Sequence, residues 1–85
     1  MIRYAATIDI LKYGKLIHQK RIHLGLTEER LAEYSDLSDR EIRNIESGRS
    51  IPKLGTALKI AYALDMDVGE LQSLIQTEDM AYDEW

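Results

Sequence analysis

Between residues 38 and 48 the sequence reads SDREIRNIESG. A helix turns about 100° per residue. If Ile42 and Ile45 face inward, the opposite face carries Arg40, Arg43, Asn44 and Ser47. Two guanidiniums, an amide and a hydroxyl form a donor-rich surface. A guanidinium fork matches a pair of acceptors, such as guanine O6 and N7 or two phosphate oxygens. An Asn amide matches adenine N6 and N7. The plainer reading of the same residues is a solvated outer face.

The acids of this stretch sit off that face. Glu41 lies three residues after Ser38, the spacing of a capping box. Glu46 lies beside Ile42 on the inward side, where a carboxylate without a partner is costly. Arg21 follows Ile17 by four residues and precedes Leu24 by three, so it shares their helical stripe and is the candidate partner. An Arg21–Glu46 ion pair would tie the two helices together; two solvated charges are the alternative. Asp39 stands in the first turn, where negative charge complements the helix dipole. It also precedes Arg43 by four residues and is placed to steady it.

The elements that position these groups follow from caps and periodicity. Residues 1–8 alternate in the manner of a short strand or extended arm, and Asp9 is placed to cap the first helix. That helix is expected over 10–24, with Tyr13, Leu16, Ile17 and Leu24 inward and Gly25 ending it. Thr27 caps a second helix, TEERLAEY, with Leu31 and Ala32 inward. Ser35-Asp36-Leu37 forms a tight turn, and Asp36 tolerates a left-handed backbone. The third helix spans 38–47 and stops at Gly48. Pro52 precedes a fourth, Leu54 to Leu64, with Leu54, Ala57, Leu58, Ala61 and Leu64 inward. Asp67 and Glu70 open a fifth by a second capping box, running to about Ile75. The fold class is all-α, with an arm at 1–9, a helical domain at 10–75 and an acidic tail at 76–85 that is loose unless bound.

Composition narrows the function classes. The net charge is −4, unevenly placed: residues 1–60 hold all 11 Lys and Arg against 8 acids (+3), and residues 61–85 hold 7 acids alone (−7). A face of the first part is therefore free to be locally basic. With no Cys, and with His18 and His23 five apart on different helix faces, no metal site is expected. Each histidine reads as a surface residue. There is no glycine-rich phosphate loop and no nucleophile elbow, so neither an enzyme nor a cofactor is expected. No run is apolar enough for a bilayer and no secretion signal is evident, which points to the cytoplasm.

Two helices separated only by a tight turn form a helix-turn-helix. Here the sequence resembles the Cro/phage-repressor (XRE) family. The matching segments are KRIHLGLTEERLA at 20–32, YSDLS at 34–38, IRNIESG at 42–48 and IPKLGTALKIAYALDMDVGEL at 51–71, within a match spanning 12–75. The resemblance implies a five-helix, lambda-repressor-like DNA-binding domain and a transcriptional regulator of repressor type. Helix 38–47 would enter the major groove, with Asp39, Arg40, Arg43 and Asn44 at the bases. Asp39 would accept from a cytosine N4 amino group or merely cap its helix. Thr27, Glu28, Ser38, Ser47, Arg49, Ser50 and Lys53 would lie along the phosphate backbone, with Lys12, Lys15 and Arg30 as lesser candidates. The family commonly has glutamine where Glu28 stands; a carboxylate cannot donate to phosphate, which leaves that contact to backbone N–H groups. Family members often pair an arginine at the Arg21 position with a glutamate at the Glu46 position. The expected assembly is a homodimer on palindromic double-stranded DNA, joined through Val68, Leu71, Leu74 and Ile75. The alternative is an antitoxin, a protein-binding module that holds a partner by its termini and represses its own operon.

Overall fold

The computed structural model describes residues 2–82. Seven elements follow one another: β1 (Ile2–Ile8), α1 (Ile10–His23), α2 (Glu28–Ser35), α3 (Asp39–Glu46), α4 (Leu54–Ala63), α5 (Val68–Gln72) and β2 (Ile75–Tyr82). Four of the five helices start on a side-chain cap. Asp9 accepts from the Lys12 N–H, and Thr27 accepts from the Arg30 N–H. Ser38 with Glu41 and Asp67 with Glu70 close full capping boxes. α4 has no such cap; Lys53 precedes it. Gly25 and Gly48 leave α1 and α3 with φ of +70° and +77°, a conformation glycine adopts without strain.

One core joins the helices. Tyr13 and Ile17 of α1 meet Leu31 and Ala32 of α2, Ile42 and Ile45 of α3, Ile60 and Leu64 from α4, and Leu74. The inward face of α4 matches the expected one at Ala61 and Leu64 and differs from it at Leu54 and Leu58. Ile60, Ala61 and Leu64 are buried, while Leu54 and Leu58 are 76% and 57% exposed. Residues 57, 60, 61 and 64 make as good a helical stripe as 54, 58 and 61. Apolar periodicity cannot choose between two faces when both are apolar. Leu24 is also exposed, because it sits on the C-cap beyond the stripe.

Beside the helices lies a two-stranded antiparallel ribbon. β1 pairs with β2 from Ile2–Tyr82 to Ile8–Ile75, with a register shift between Arg3 and Tyr4. The extended N-terminal arm is thus a strand. The C-terminal segment departs from expectation: α5 stops at Gln72, and residues 75–82 are paired rather than loose. The Asp9 N–H donates to the Leu74 carbonyl at 3.3 Å, which brings the two ends side by side and lets the strands satisfy each other's backbone. The last part of the tail, with Trp85, lies outside the described residues. Among the described residues no helix is long and apolar enough to cross a membrane.

Candidate nucleic-acid interface

The angle between α2 and α3 is set by backbone geometry. Asp36 adopts φ 56° and ψ 45°, a left-handed cap. The Leu37 N–H then returns to the Ala32 carbonyl at 2.9 Å, closing the turn. α1 fixes α3 from the other side. Gly14 is buried, and a Cβ built there would lie 2.5 Å from the Ile45 carbonyl oxygen and 2.7 Å from that of Glu46. Only glycine allows this approach of helix to helix.

α3 presents two distinct faces. Ile42 and Ile45 are 0% and 3% exposed. Arg40, Arg43 and Ser47 are exposed, and Asn44 and Asp39 are half-buried at the margin. Glu41 is drawn back to Ser38, accepting from its backbone N–H at 3.1 Å. No ion pair joins Asp39 to Arg43 among the described residues.

The structure brings Arg21 and Glu46 together. Arg21 Nε donates to Glu46 Oε2 at 2.6 Å, and Arg21 Nη2 donates to Oε1 at 3.0 Å. The Leu26 carbonyl accepts from Nη1 at 2.9 Å. Both side chains are below 10% exposed. The hydrogen bonds that Arg21 donates to Glu46 raise the pKa of the guanidinium, against the opposing effect of burial. This pair locks the end of α3 to α1 and removes one acid from the solvent face.

Two concavities flank α3. One, of about 440 Å³, is lined by His18, Arg21, Glu28, Arg43, Glu46, Ser47 and Arg49. The other, of about 260 Å³, includes Asn44, Ser50, Lys53 and Thr56. Several candidate phosphate contacts gather here, on both sides of the exposed helix. Their hydroxyls are partly engaged. Thr27 accepts from its own helix, Ser38 is bonded to Glu41, and Ser47 Oγ donates to the Asn44 carbonyl at 3.2 Å. The backbone N–H groups of Arg49 and Ser50 both point to the Asn44 carbonyl. The cations are freer: Arg40, Arg43, Arg49 and Lys53 make no ion pair among the described residues. Lys12 is drawn to the Ser73 carbonyl and Arg30 to Glu33, away from this surface.

Two of the expected dimer residues are drawn toward the core. Leu74 is 3% exposed and belongs to the core of its own chain, and Leu71 packs against that core. The side chains of Val68 and Ile75 lie outside those described. Unclaimed apolar surface is found instead on α4, where Leu54, Leu58 and Tyr62 are 76%, 57% and 91% exposed at four-residue intervals.

Sequence reasoning missed two residues near the interface. Gly14 lies on the inward stripe, three residues before Ile17 and seven before Arg21; a glycine at such a position marks close approach. His18 Nδ1 lies 2.7 Å from Glu46 Oε1. It precedes Arg21 by three residues, so the two share a helix face, and the partner of one is in reach of the other.

A turn that fixes two short helices, with the second exposing a cationic face between two concavities, is the geometry of a helix-turn-helix DNA reader. The helix-turn-helix family matches residues 17–71. The chain belongs to this family, of the Cro/phage-repressor (XRE) type, and is a DNA-binding transcriptional regulator. Among solved structures it is similar to the restriction-modification controller protein C.AhdI from Aeromonas hydrophila. That likeness has 35% identity and a TM-score of 0.69, and covers 74% of this chain and 96% of the other. The controller protein C.Esp1396I, at 23% identity and TM-score 0.67, covers 76% and 83%. The clp gene regulator ClgR from C. glutamicum, at 24% and 0.66, covers 76% and 86%. The last two likenesses concern the fold alone. No curated protein matches the chain.

Proposed function

We propose that the chain represses transcription as a homodimer on a two-fold-symmetric operator, with α3 of each protomer in the major groove. The observation that carries this reading is the division of charge on α3. Arg40, Arg43, Asn44 and Ser47 point outward or to the margin, while Glu41 and Glu46 are held by Ser38 and Arg21. In this reading Arg40 and Arg43 take guanine O6 and N7, and Asn44 takes adenine. Asp39 accepts from a cytosine amino group or completes the helix start. Arg49, Ser50 and Lys53 follow the phosphates on one side of α3. Thr27, Glu28, Ser38 and Ser47 lie along the other strand's backbone, with the N–H groups at the start of α2 as the donors. The half-sites lie about 34 Å apart, one helical turn.

The second copy docks on the stripe of Leu54, Leu58 and Tyr62. The identity to a controller protein supports the genes of a restriction-modification system as the ones regulated. Replacing Leu58 by Glu tests the dimer: sedimentation should show a monomer that binds the operator far more weakly. A variant that remains a dimer would count against this surface.

A second reading has one specific support. Both termini form one ribbon, and neither β1 nor β2 has a further strand on its outer edge among the described residues. Such edges accept an added strand. An antitoxin that holds its partner there would retain that partner after Arg40 and Arg43 are changed to Ala.

A further inference from the structure

The larger concavity beside α3 contains an ionisable group that none of the DNA contacts named above employs. His18 stands on α1, and its side chain is 53% exposed. The charged groups that face it come from four elements: Lys15 and Arg21 on α1, Glu28 on α2, Arg43 and Glu46 on α3, and Arg49 in the loop after α3. Arg21 and Glu46 neutralise each other. Lys15, Arg43 and Arg49 remain as cations, and Glu28, a carboxylate, has no proton to donate.

The contacts of the ring decide how its protons are arranged. Nδ1 lies 2.7 Å from Glu46 Oε1 and 3.2 Å from Arg21 Nη2. A carboxylate only accepts and a guanidinium only donates, so Nδ1 can satisfy one of them at a time. The shorter contact is to the carboxylate, so Nδ1 carries a hydrogen and donates it to Glu46. Glu46 is itself held by two bonds from Arg21 and is 6% exposed, so it anchors the ring firmly. A neutral ring in this tautomer keeps its second nitrogen, Nε2, as a bare lone pair, which repels a phosphate oxygen. A second proton turns Nε2 into a charged donor.

We propose that His18 is a phosphate-binding residue of the DNA interface, acting as an imidazolium anchored by Glu46. It supplies, beside Arg43 and Arg49, the donor that Glu28 cannot. This rests on the reading of α3 as the groove helix. DNA affinity is then linked to pH. Binding is strongest where the ring is doubly protonated and weakens as pH rises and the ring gives up its second proton.

The test is a titration of the full chain against the duplex that it enriches from random DNA, from pH 5.5 to 8.5 at fixed ionic strength. The natural chain should lose about tenfold in affinity across this range, the effect of one charge-assisted hydrogen bond. Its dependence on salt should also become shallower by about one phosphate. His18→Gln should bind without slope, because its amide does not change charge. His18→Lys should bind tightly and without slope. His23→Gln, at the only other histidine, should keep the slope, and this arm removes the second imidazole as its source. A flat profile for the natural chain, or a slope that survives in folded His18→Gln, overturns the proposal. A natural chain that binds no duplex at any pH overturns the α3 reading instead.

Discussion

At the residue scale, the acids of α3 are the telling feature, because a carboxylate on the DNA face repels phosphate unless it meets a donor such as a cytosine amino group. Glu46 is the strongest case. Its partner Arg21 is nearly buried, and removing one member of a buried pair leaves the other uncompensated. Glu46→Ala should cost about 3–5 kcal/mol of stability, read as a lowered denaturation midpoint in urea; an unchanged midpoint would show that the pair is merely solvated. Tyr13 gives the opposite expectation. Its hydroxyl is buried with no hydrogen-bond partner among the described residues, and burial pushes its pKa up to about 12. Tyr13→Phe removes an unsatisfied group, so it should be neutral or stabilise by about 1 kcal/mol. The folded state resists ionisation of Tyr13, so this residue also makes stability fall as pH rises above its ordinary value of 10.0. The Arg21–Glu46 pairing was legible in the sequence, since stripe positions on two helices pointed to it. The place of His18 was not, because an exposed histidine has no periodic signature and only the folded helix shows what it touches.

At the element scale, caps and turns were readable because their chemistry is local. Thr27, Ser38 with Glu41, Asp67 with Glu70, and the left-handed Asp36 all depend on residues within a few positions. What was not readable depends on neighbours far along the chain. The buried side of α4 is chosen by what packs on it, since Leu54 and Leu58 match the helical period as well as Ile60 and Leu64 do. Pairing of β1 with β2 joins residues over 60 positions apart, and no local pattern encodes that. Gly14 is the element-scale test. Gly14→Ala would ordinarily favour a helix, yet here the methyl group meets the carbonyls of Ile45 and Glu46. It should lower the thermal midpoint and, by displacing α3, weaken DNA binding. A rise in the midpoint would show that α1 has room to move. α5 is fastened to α1 by Lys20, which pairs with Glu70. The Lys20 hydrogen bond, then the Asp67 backbone N–H, hold the Glu70 carboxyl below its ordinary value of 4.5. A lowered folded pKa means that this stabilisation is present above pH 4.5 and is lost as pH falls through the folded value. Glu70→Gln should therefore flatten the acid limb of the stability profile; an unchanged limb would show that other carboxylates set it.

At the scale of the whole molecule, an acidic protein reads a polyanion because its charge is divided. The basic residues all lie in the first 60 positions, and the acids after them face no cation of their own segment. Arg43 and Lys53 separate two kinds of contact. Arg43→Ala should relax base preference at one position of each half-site, while Lys53→Ala should weaken all sequences alike. The central claim is that the outer face of α3 reads DNA sequence in a two-fold-symmetric complex. Selection of bound duplexes from random DNA, run in parallel on the natural chain and on Arg43→Ala, tests it most directly. The natural chain should enrich one symmetric site, with affinity falling steeply as salt rises, and Arg43→Ala should lose the preference at one symmetric pair of positions. A natural chain that enriches no sequence, or an Arg43→Ala chain that enriches the same site with undiminished preference, would contradict it.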